Sequence, residues 1–600
     1  MIILLLTVLY VTAAFTLTIY ASSQLILLIL YWRHRRAPAL APPTTVFPCV
    51  VVQLPVYNEP HVIARLIDAA ARLDYPADRL TIQILDDSND ATTQIASGKV
   101  SEWSARGVHI EHIRRDNRVG YKAGALAYGL TLTDADFAAV FDADFTPQSD
   151  FLRAMIPTLL EDETVACVQA RWGHMNPFEN ALTLMQTIAL DGHFVVEQIA
   201  RAQAGLFANF NGSGGIWRIA AVTAAGGWRD VTLTEDLDLS YRVQLNGGRI
   251  AYRPDVIVAA ELPATMPAYK QQQARWARGG TQVMRLLLPT VLRARVSPLR
   301  KFMAAMHLCQ YLVHPIMILL VLLTPPLLLT GALQDLQLSA LGVFGIVPPI
   351  LFVLSQRALY RDWAHRLLGL PVLVALGMGL SWSNTRAVLH GLISARGEFR
   401  RTPKTAGAAT SPDQPRFNTD WLGEALLAVY ALGGVIIAAR VAPPYAGYMA
   451  LYAIAYGLFA LVSARESWVA GQAHISHRWR FASVLLLLVI LSALALGRVT
   501  LLAQAPILNC PNVLETRVIV RERARVTPLG DDDPLNIRDA PGTDSDILGR
   551  IPIGGVFFVL AGPECTQRYT WYQIDYDGVI GWVAEGDVSV YFTEPYPPAP

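Results

Sequence analysis

The sequence predicts an α/β domain built on a mostly parallel sheet, set into a bundle of membrane-spanning helices and followed by a small all-β barrel at the C-terminus. Three observations carry this reading. Of 600 residues, 53% are hydrophobic and 16% charged, too apolar for a wholly soluble chain, yet the middle third reads as ordinary globular sequence. Apolar runs of the length needed to cross a bilayer, about 20 residues, flank that third. Beyond residue 505 the composition shifts to Pro, Asp and alternating β-formers. The chain divides into 1–36, a spanning helix with a basic flank; 37–284, the α/β domain; 285–504, interfacial and spanning helices; and 505–600, the barrel and tail.

Taken in order, residues 1–32 carry no charge and run into Arg33-His34-Arg35-Arg36. The run lacks the short core and small-residue cleavage site of a removable signal peptide. Its basic flank assigns the following segment to the cytoplasmic side. Further spanning candidates are 308–330, 341–354, 422–439, 448–462 and 482–496. With these six crossings the basic stretches 357–366, 396–404 and 465–480 all fall inside, and the C-terminal region falls outside. The apolar stretch 367–380 has only 14 residues and cytoplasmic flanks, so it reads as a re-entrant or interfacial helix. Residues 285–305 mix Leu286, Leu287, Leu288, Leu292 and Phe302 with Arg285, Arg293, Arg295, Arg300 and Lys301, which suits a helix on the inner membrane surface.

Within 37–284, strand-like runs end in polar residues: 47–54 before Pro55, 81–85 before Asp86, and 138–141 before Asp142. Helical patterns at 60–73 and 122–132 separate them, an alternation that implies a parallel sheet. In such sheets ligands bind beyond the carboxyl ends of the strands. The near-balance of 49 basic and 48 acidic residues argues against a nucleic-acid partner. No Cys-x-x-Cys pair or Cys/His cluster stands at zinc spacing. Cys510 and Cys565 lie together in the C-terminal region and can pair in an oxidising compartment, while Cys49, Cys167 and Cys309 read as buried thiols.

Five polar motifs recur between the membrane segments: Gln53-Leu54-Pro55-Val56-Tyr57-Asn58-Glu59, Asp86-Asp87, Asp142-Ala143-Asp144, Thr234-Glu235-Asp236 and Gln272-Gln273-Ala274-Arg275-Trp276. Asp142 and Asp144 straddle one residue on a turn and can offer oxygen ligands to Mg2+ or Mn2+ and a donor diphosphate. Glu59, Asp86 and Asp87 can accept hydrogen bonds from a base and ribose, with Tyr57 against the base. Lys122, in Gly120-Tyr121-Lys122-Ala123-Gly124, is a cation for phosphate, or more plainly a solvated lysine at a helix start. Asp236 lies among apolar residues and other carboxylates, which raises a carboxyl pKa toward general-base work. The plainer reading is that Thr234 caps a helix with acids in its first turn. Gln272, Arg275 and Trp276 share one helix face, where Arg275 can steady a diphosphate and Trp276 can stack on a sugar.

On these motifs, residues 45–405 resemble the family 2 glycosyltransferases of the cellulose synthase and β-mannan synthase type. The match includes Phe210-Asn211-Gly212-Ser213-Gly214, similar to that family's acceptor loop, and Phe399-Arg400-Arg401-Thr402-Pro403-Lys404, similar to its gating loop. The resemblance implies a nucleotide-sugar-binding GT-A-like domain and an inverting transfer without a covalent intermediate. Pro55, Tyr57, Glu59, Asp86, Asp87, Lys122, Asp142, Asp144 and Arg275 would hold the nucleotide sugar, with Asp142 and Asp144 on the metal. Asp236 would be the base. Asn211, Gly212, Ser213, Glu235, Gln272 and Trp276 would hold the acceptor, and Phe399, Thr402, Pro403 and Lys404 would close over the donor. Arg401 stands where bacterial cellulose synthases typically carry Val, and no cyclic-dinucleotide-reading arginine motif follows, so cellulose is not the expected product.

Leu535-Asn536-Ile537-Arg538-Asp539-Ala540-Pro541-Gly542 and Gly581-Trp582-Val583 resemble a bacterial SH3 domain of cell-envelope proteins, with a wall peptide or glycan as the implied ligand or a spacer role instead. The expected whole is a multi-pass plasma-membrane enzyme with its transferase domain in the cytoplasm and its barrel outside. It would extend and export a β-linked polysaccharide. Two alternatives are the addition of a single sugar to a lipid acceptor, as in glucosylceramide-synthase-like relatives, and a non-catalytic envelope scaffold.

Overall fold

The computed structural model describes residues 2–35, 44–333, 343–394, 420–471, 510, 513–527, 533–566 and 568–596. The chain separates into two compact units, Met1–Leu485 and Leu486–Pro600.

The first unit is centred on an eight-stranded sheet. Its strands are β1 (Val50–Val56), β2 (Leu80–Asp86), β3 (Ile110–Arg114), β4 (Phe137–Val140), β5 (Phe145–Thr146), β6 (Val165–His174), β7 (Gly215–Arg218) and β8 (Arg249–Ala260), in the order β3-β2-β1-β4-β7-β6-β8-β5. β1 is buried along its whole length, because helices cover both faces of a parallel strand and a continuous apolar run is then required. It pairs in parallel with β2 and β4, and β2 with β3. β7 runs antiparallel to both β4 and β6, and β6 returns parallel to β8. One face packs Val52, Leu54, Ile63, Leu66 and Phe151; the other packs Leu85, Leu126, Val140, Trp217 and Leu239. The carboxyl ends of β1, β2 and β4 therefore open on one side, as the strand–helix alternation predicts.

Among the described residues, five helices are long and apolar enough to cross a membrane: Ile2–His34, Gln310–Leu329, Trp363–Ile393, Trp421–Val441 and Pro444–Arg465. Two segments differ from the sequence expectation. The stretch 367–380, expected to be too short to cross, continues through the polar Ser381–Ile393 helix into one helical stretch of 31 residues. Hydropathy stops at residue 380 although the helix does not. In place of a crossing at 341–354 stands the 13-residue helix Val347–Leu359, about 20 Å long at 1.5 Å per residue. The candidate at 482–496 lies outside the described residues. The boundary drawn at 284/285 falls inside one 28-residue helix, Met266–Arg293, and the expected surface helix over 285–305 is split between it and Pro298–Leu308.

Polar side chains are buried inside the bundle. Lys270 of Met266–Arg293 pairs with the fully buried Glu424 and donates to Ser463 Oγ at 2.7 Å. The Ser381 and Tyr456 hydroxyls meet at 2.7 Å, and Asn384 Nδ2 lies 2.9 Å from His314 Nε2. The Tyr448, Tyr452 and Tyr456 rings succeed one another at 5.1 and 5.8 Å.

The second unit is a seven-stranded antiparallel sheet made of Arg523–Val526, Leu535–Arg538, Ile547–Ile551, Val556–Thr566, Tyr569–Tyr576, Val579–Gly586 and Thr593–Pro595. Ile537, Ile551, Phe557, Val559, Tyr572, Ile574 and Val583 form its core. Trp571 and Tyr572, two of the aromatic residues prominent in the sequence, are buried. Buried Glu585 accepts from Thr516 Oγ1 at 2.8 Å and from the Arg517 and Val518 amides, tying the entry segment to the sheet. Cys510 and Cys565 form the expected disulfide, with Cα atoms 5.4 Å apart.

Candidate active site

One cleft gathers residues from all five motifs. Pro55, Tyr57 and Glu59 reach it from the end of β1, Asp87 from β2, Asp142 and Asp144 from β4, and Lys122 from the helix Tyr121–Leu130. Asn211 and Gly212 come from the loop before β7, Glu235 and Asp236 from the first turn of Glu235–Leu245, and Gln272, Arg275 and Trp276 from Met266–Arg293. Asp86 and Ser213 do not line it. The gating-loop residues Phe399, Thr402, Pro403 and Lys404 lie outside the described residues.

Lys122 stands at the centre. Gly120, at φ +76°, turns the chain into the helix that carries it; such a φ suits glycine. Its Nζ donates to Gly212 O at 2.7 Å and lies 2.5 Å from Asp142 Oδ1 and 3.7 Å from Glu235 Oε1. Burial works to strip its proton, but Asp142, Glu235 and Asp236 outweigh burial and hold the ammonium above the usual lysine range. Burial and the neighbouring Glu235 push the Asp236 carboxyl up to about 7, against the pull of Lys122. The Leu237 amide donates to Asp236 Oδ1 at 2.8 Å, which leaves Oδ2 beside Gly212. A Cβ at Gly212, where φ is +85°, would stand 3.0 Å from that oxygen.

Neighbouring acids in these motifs have separate tasks. Asp87 is held by Arg115, whose Nε lies 3.0 Å from Oδ1, and faces the cleft. Asp86 is buried. It accepts from the Ser88 amide at 2.8 Å and meets His112 Nε2 at 3.0 Å. Burial raises its pKa, but these hydrogen bonds prevail and hold it down to about 2. It braces the loop in which Ser88 Oγ accepts from the Asn58 amide. Asp238 is fully buried between Arg229 and Arg242, a structural ion pair. Thr234 takes the N-cap position but makes no side-chain cap bond. Ser213 is a strut: its Oγ accepts from the Asp142 amide at 3.0 Å, and its carbonyl takes Trp172 Nε1 at 3.0 Å.

Asp142 and Asp144 occupy the turn between β4 and β5. Two carboxylates on one wall of the cleft fit Mg2+ or Mn2+, hard cations that keep water and substrate phosphates as their remaining ligands. Sequence reasoning missed Arg118, whose guanidinium lies 3.3 Å from the Tyr57 ring centroid. It also missed Trp172, His174 and Glu261, which line the cleft at the ends of β6 and β8. His174 Nε2 lies 3.1 Å from Asp191 Oδ1, whose second oxygen accepts from Gln356 at 2.9 Å. The strand-end rule applied to β6 and β8 would have found all three.

Residues 48–279 match the glycosyltransferase-like family 2 model and residues 533–589 the bacterial SH3 domain model. Glucomannan 4-beta-mannosyltransferase 2 of Arabidopsis thaliana is 45% identical over 251 residues, 41% of this chain and 47% of that protein. Glucomannan 4-beta-mannosyltransferase 1 of Oryza sativa is 42% identical over 254 residues, 42% of this chain and 49% of that protein. The chain thus spans about half the length of these curated relatives. Among solved structures, a mannosyltransferase from Pyrobaculum calidifontis in complex with GDP-Man and Mn2+ aligns with 65% of this chain and 99% of its own, at 20% identity and a TM-score of 0.43.

Two substitutions in the first turn of Glu235–Leu245 should separate chemistry from structure. Asp236→Asn should lower transfer by about 10²-fold to 10⁴-fold with nucleotide affinity retained, and should abolish the rise of wild-type rate with pH through about 7 that deprotonation of this group produces. Near-normal turnover would remove Asp236 from the mechanism. Because its folded pKa lies above the unfolded value near 3.9, ionising Asp236 costs stability progressively from about pH 4 to 7; the Asn variant should therefore melt higher than wild type at pH 8. Asp238→Ala should do the opposite, losing about 3–5 kcal/mol by leaving the buried Arg242 without its carboxylate, visible as a lower melting temperature. With these motifs gathered in one cleft, residues 48–279 are similar to the family 2 glycosyltransferases and residues 533–589 to the bacterial SH3 domains.

Proposed function

We propose that the protein is a membrane-bound inverting glycosyltransferase that moves a hexose from a nucleotide-sugar donor to a growing β-linked polysaccharide and passes the product through its own helical bundle. The convergence of five separated motifs on one cleft carries the reading. Identity of 42–45% to glucomannan mannosyltransferases favours mannose, with GDP-mannose as donor.

The acceptor hydroxyl sits against Asp236, which takes its proton as the oxygen attacks the anomeric carbon. The bond from that carbon to the nucleoside diphosphate breaks in line, and its electron pair leaves with the diphosphate. Lys122 and Arg275 meet the departing charge. When bound, a divalent cation on Asp142 and Asp144 adds positive charge at the same phosphates. Trp276 and Asn211 hold the acceptor sugar, and Tyr57, Glu59 and Asp87 hold the nucleoside. Asp236 and Arg275 both lie within electrostatic reach of Tyr311, whose ring stacks on His314 at 6.4 Å. From there His314–Asn384 and Ser381–Tyr456 continue a polar path into the bundle. Along it, the buried His314 Nδ1 and Asn384 Oδ1 have no hydrogen-bond partner among the described residues, as suits a passage for sugar hydroxyls. These observations support coupled export.

Purified full-length chain supplied with Mn2+ and labelled GDP-mannose, UDP-glucose or UDP-N-acetylglucosamine should make a long, β-mannanase-digestible polymer from GDP-mannose. Label confined to the lipid phase would favour single-sugar transfer to a lipid instead. Asp144→Ala should weaken metal-dependent donor binding, and equal wild-type donor affinity with and without metal would sink that assignment.

A disulfide belongs to an oxidising compartment, which supports a plasma-membrane topology with the barrel outside and the transferase domain in the cytoplasm. An impermeant thiol reagent on intact cells should label Cys510 and Cys565 only after mild reduction. Tail thiols that are free and reachable only in lysed cells would put the barrel inside.

A further inference from the structure

Gly192–Glu197 forms a π-helical segment of six residues between Ala181–Asp191 and Gln198–Gln203. Widened turns of this kind concentrate at functional sites. This one carries His193 and Glu197, which neither lines the cleft nor belongs to any of the five motifs. His193 Nδ1 lies 3.0 Å from Glu197 Oε2, and His193 Nε2 lies 3.0 Å from Asn211 Oδ1. Asn209 Nδ2 donates to the same Oδ1 at 2.7 Å. Asn211 Oδ1 can only accept, so His193 Nε2 donates to it, while Glu197 holds the other ring nitrogen and fixes the ring.

Two donors on Oδ1 fix the plane and the sense of the Asn211 amide. Its Nδ2 is buried and has no partner among the described residues, although Asn211 lines the cleft. A buried unpaired amide of this kind is costly unless a ligand completes it. It also stands one residue from Gly212, which abuts the Asp236 carboxylate and accepts from Lys122.

We propose that the His193–Glu197 pair is a positioning device for the acceptor: it locks the Asn211 amide so that Nδ2 donates to a hydroxyl of the acceptor sugar beside Asp236. The inference rests on the transferase reading of the cleft and adds two residues to it. Neither touches substrate; both act through Asn211. The pair selects for an acceptor with a hydroxyl facing that amide over water, which any pocket admits.

The test uses full-length protein in lipid nanodiscs with GDP-mannose, Mn2+ and β-1,4-mannotetraose as added acceptor. His193→Ala should raise the KM for mannotetraose about fivefold to tenfold, the worth of one neutral hydrogen bond. It should lower the ratio of transfer to donor hydrolysis by a similar factor and leave GDP affinity within about twofold. Asn211→Ala should do the same, and the double variant should be no worse than Asn211→Ala alone, because the two act in series. Asn211→Leu, which is close in volume and has no amide to donate, provides the same readout if the alanine variants fail to fold. An unchanged mannotetraose KM in His193→Ala, additive losses in the double variant, or a fall in GDP affinity would each overturn the proposal while wild type still transfers sugar. A wild type inert with every donor and acceptor would instead defeat the transferase reading and this proposal with it.

Discussion

The cleft depends on one buried ammonium. Lys122 lies between Asp142 and Glu235 and also feels Asp236, so three acids that would repel one another share a cation. Removing it would leave like charges close together without the cation that balances them. The same Nζ holds the Gly212 carbonyl, which brings the loop of Asn211 and Gly212 against Asp236. Charge balance and loop position are therefore one arrangement, and the raised pKa of Asp236 follows from burial and the neighbouring Glu235, which the pull of Lys122 only partly offsets.

Around that point the wall elements divide the work by rigidity. The parallel strands β1, β2 and β4 present Tyr57, Asp87 and Asp142 from buried ends, which a packed sheet keeps in place. The opposite wall is the helix Met266–Arg293, which carries Gln272, Arg275 and Trp276 and makes its contacts largely with Ser381–Ile393, the C-terminal part of the candidate span Trp363–Ile393. Arg285 of the same helix donates to the Leu392 carbonyl at 2.8 Å. One wall of the cleft is thus fastened to the sheet and the other to the bundle.

Much of this was legible in the sequence, and the misses have physical causes. Strand ends with acids were readable because a parallel strand must be apolar along its length and stop at polarity. Asp86 and Asp87 look equivalent in sequence, but side chains alternate at a strand end, so one turns inward to His112 and the other to the cleft. His174 and Trp172 escaped notice because they end strands without an acidic flag. His193 and Glu197 escaped because a π turn changes the helical repeat by which sequence faces are judged. The extent of Trp363–Ile393 was hidden by polar residues that satisfy one another inside the bundle, where hydropathy counts them as solvent.

The pair formed by Lys270 and Glu424 bears on how the chain assembles. Glu424 begins a helix apolar enough to span a bilayer, and its compensating charge comes from a residue more than 150 positions earlier, on the cleft wall. Until that wall is in place, the later helix carries an unpaired acid into a medium that resists it. The pair therefore ties the helix that carries Gln272, Arg275 and Trp276 to Trp421–Val441, so the cleft wall and this part of the bundle hold one another through a charge that neither can lose without leaving the other unpaired.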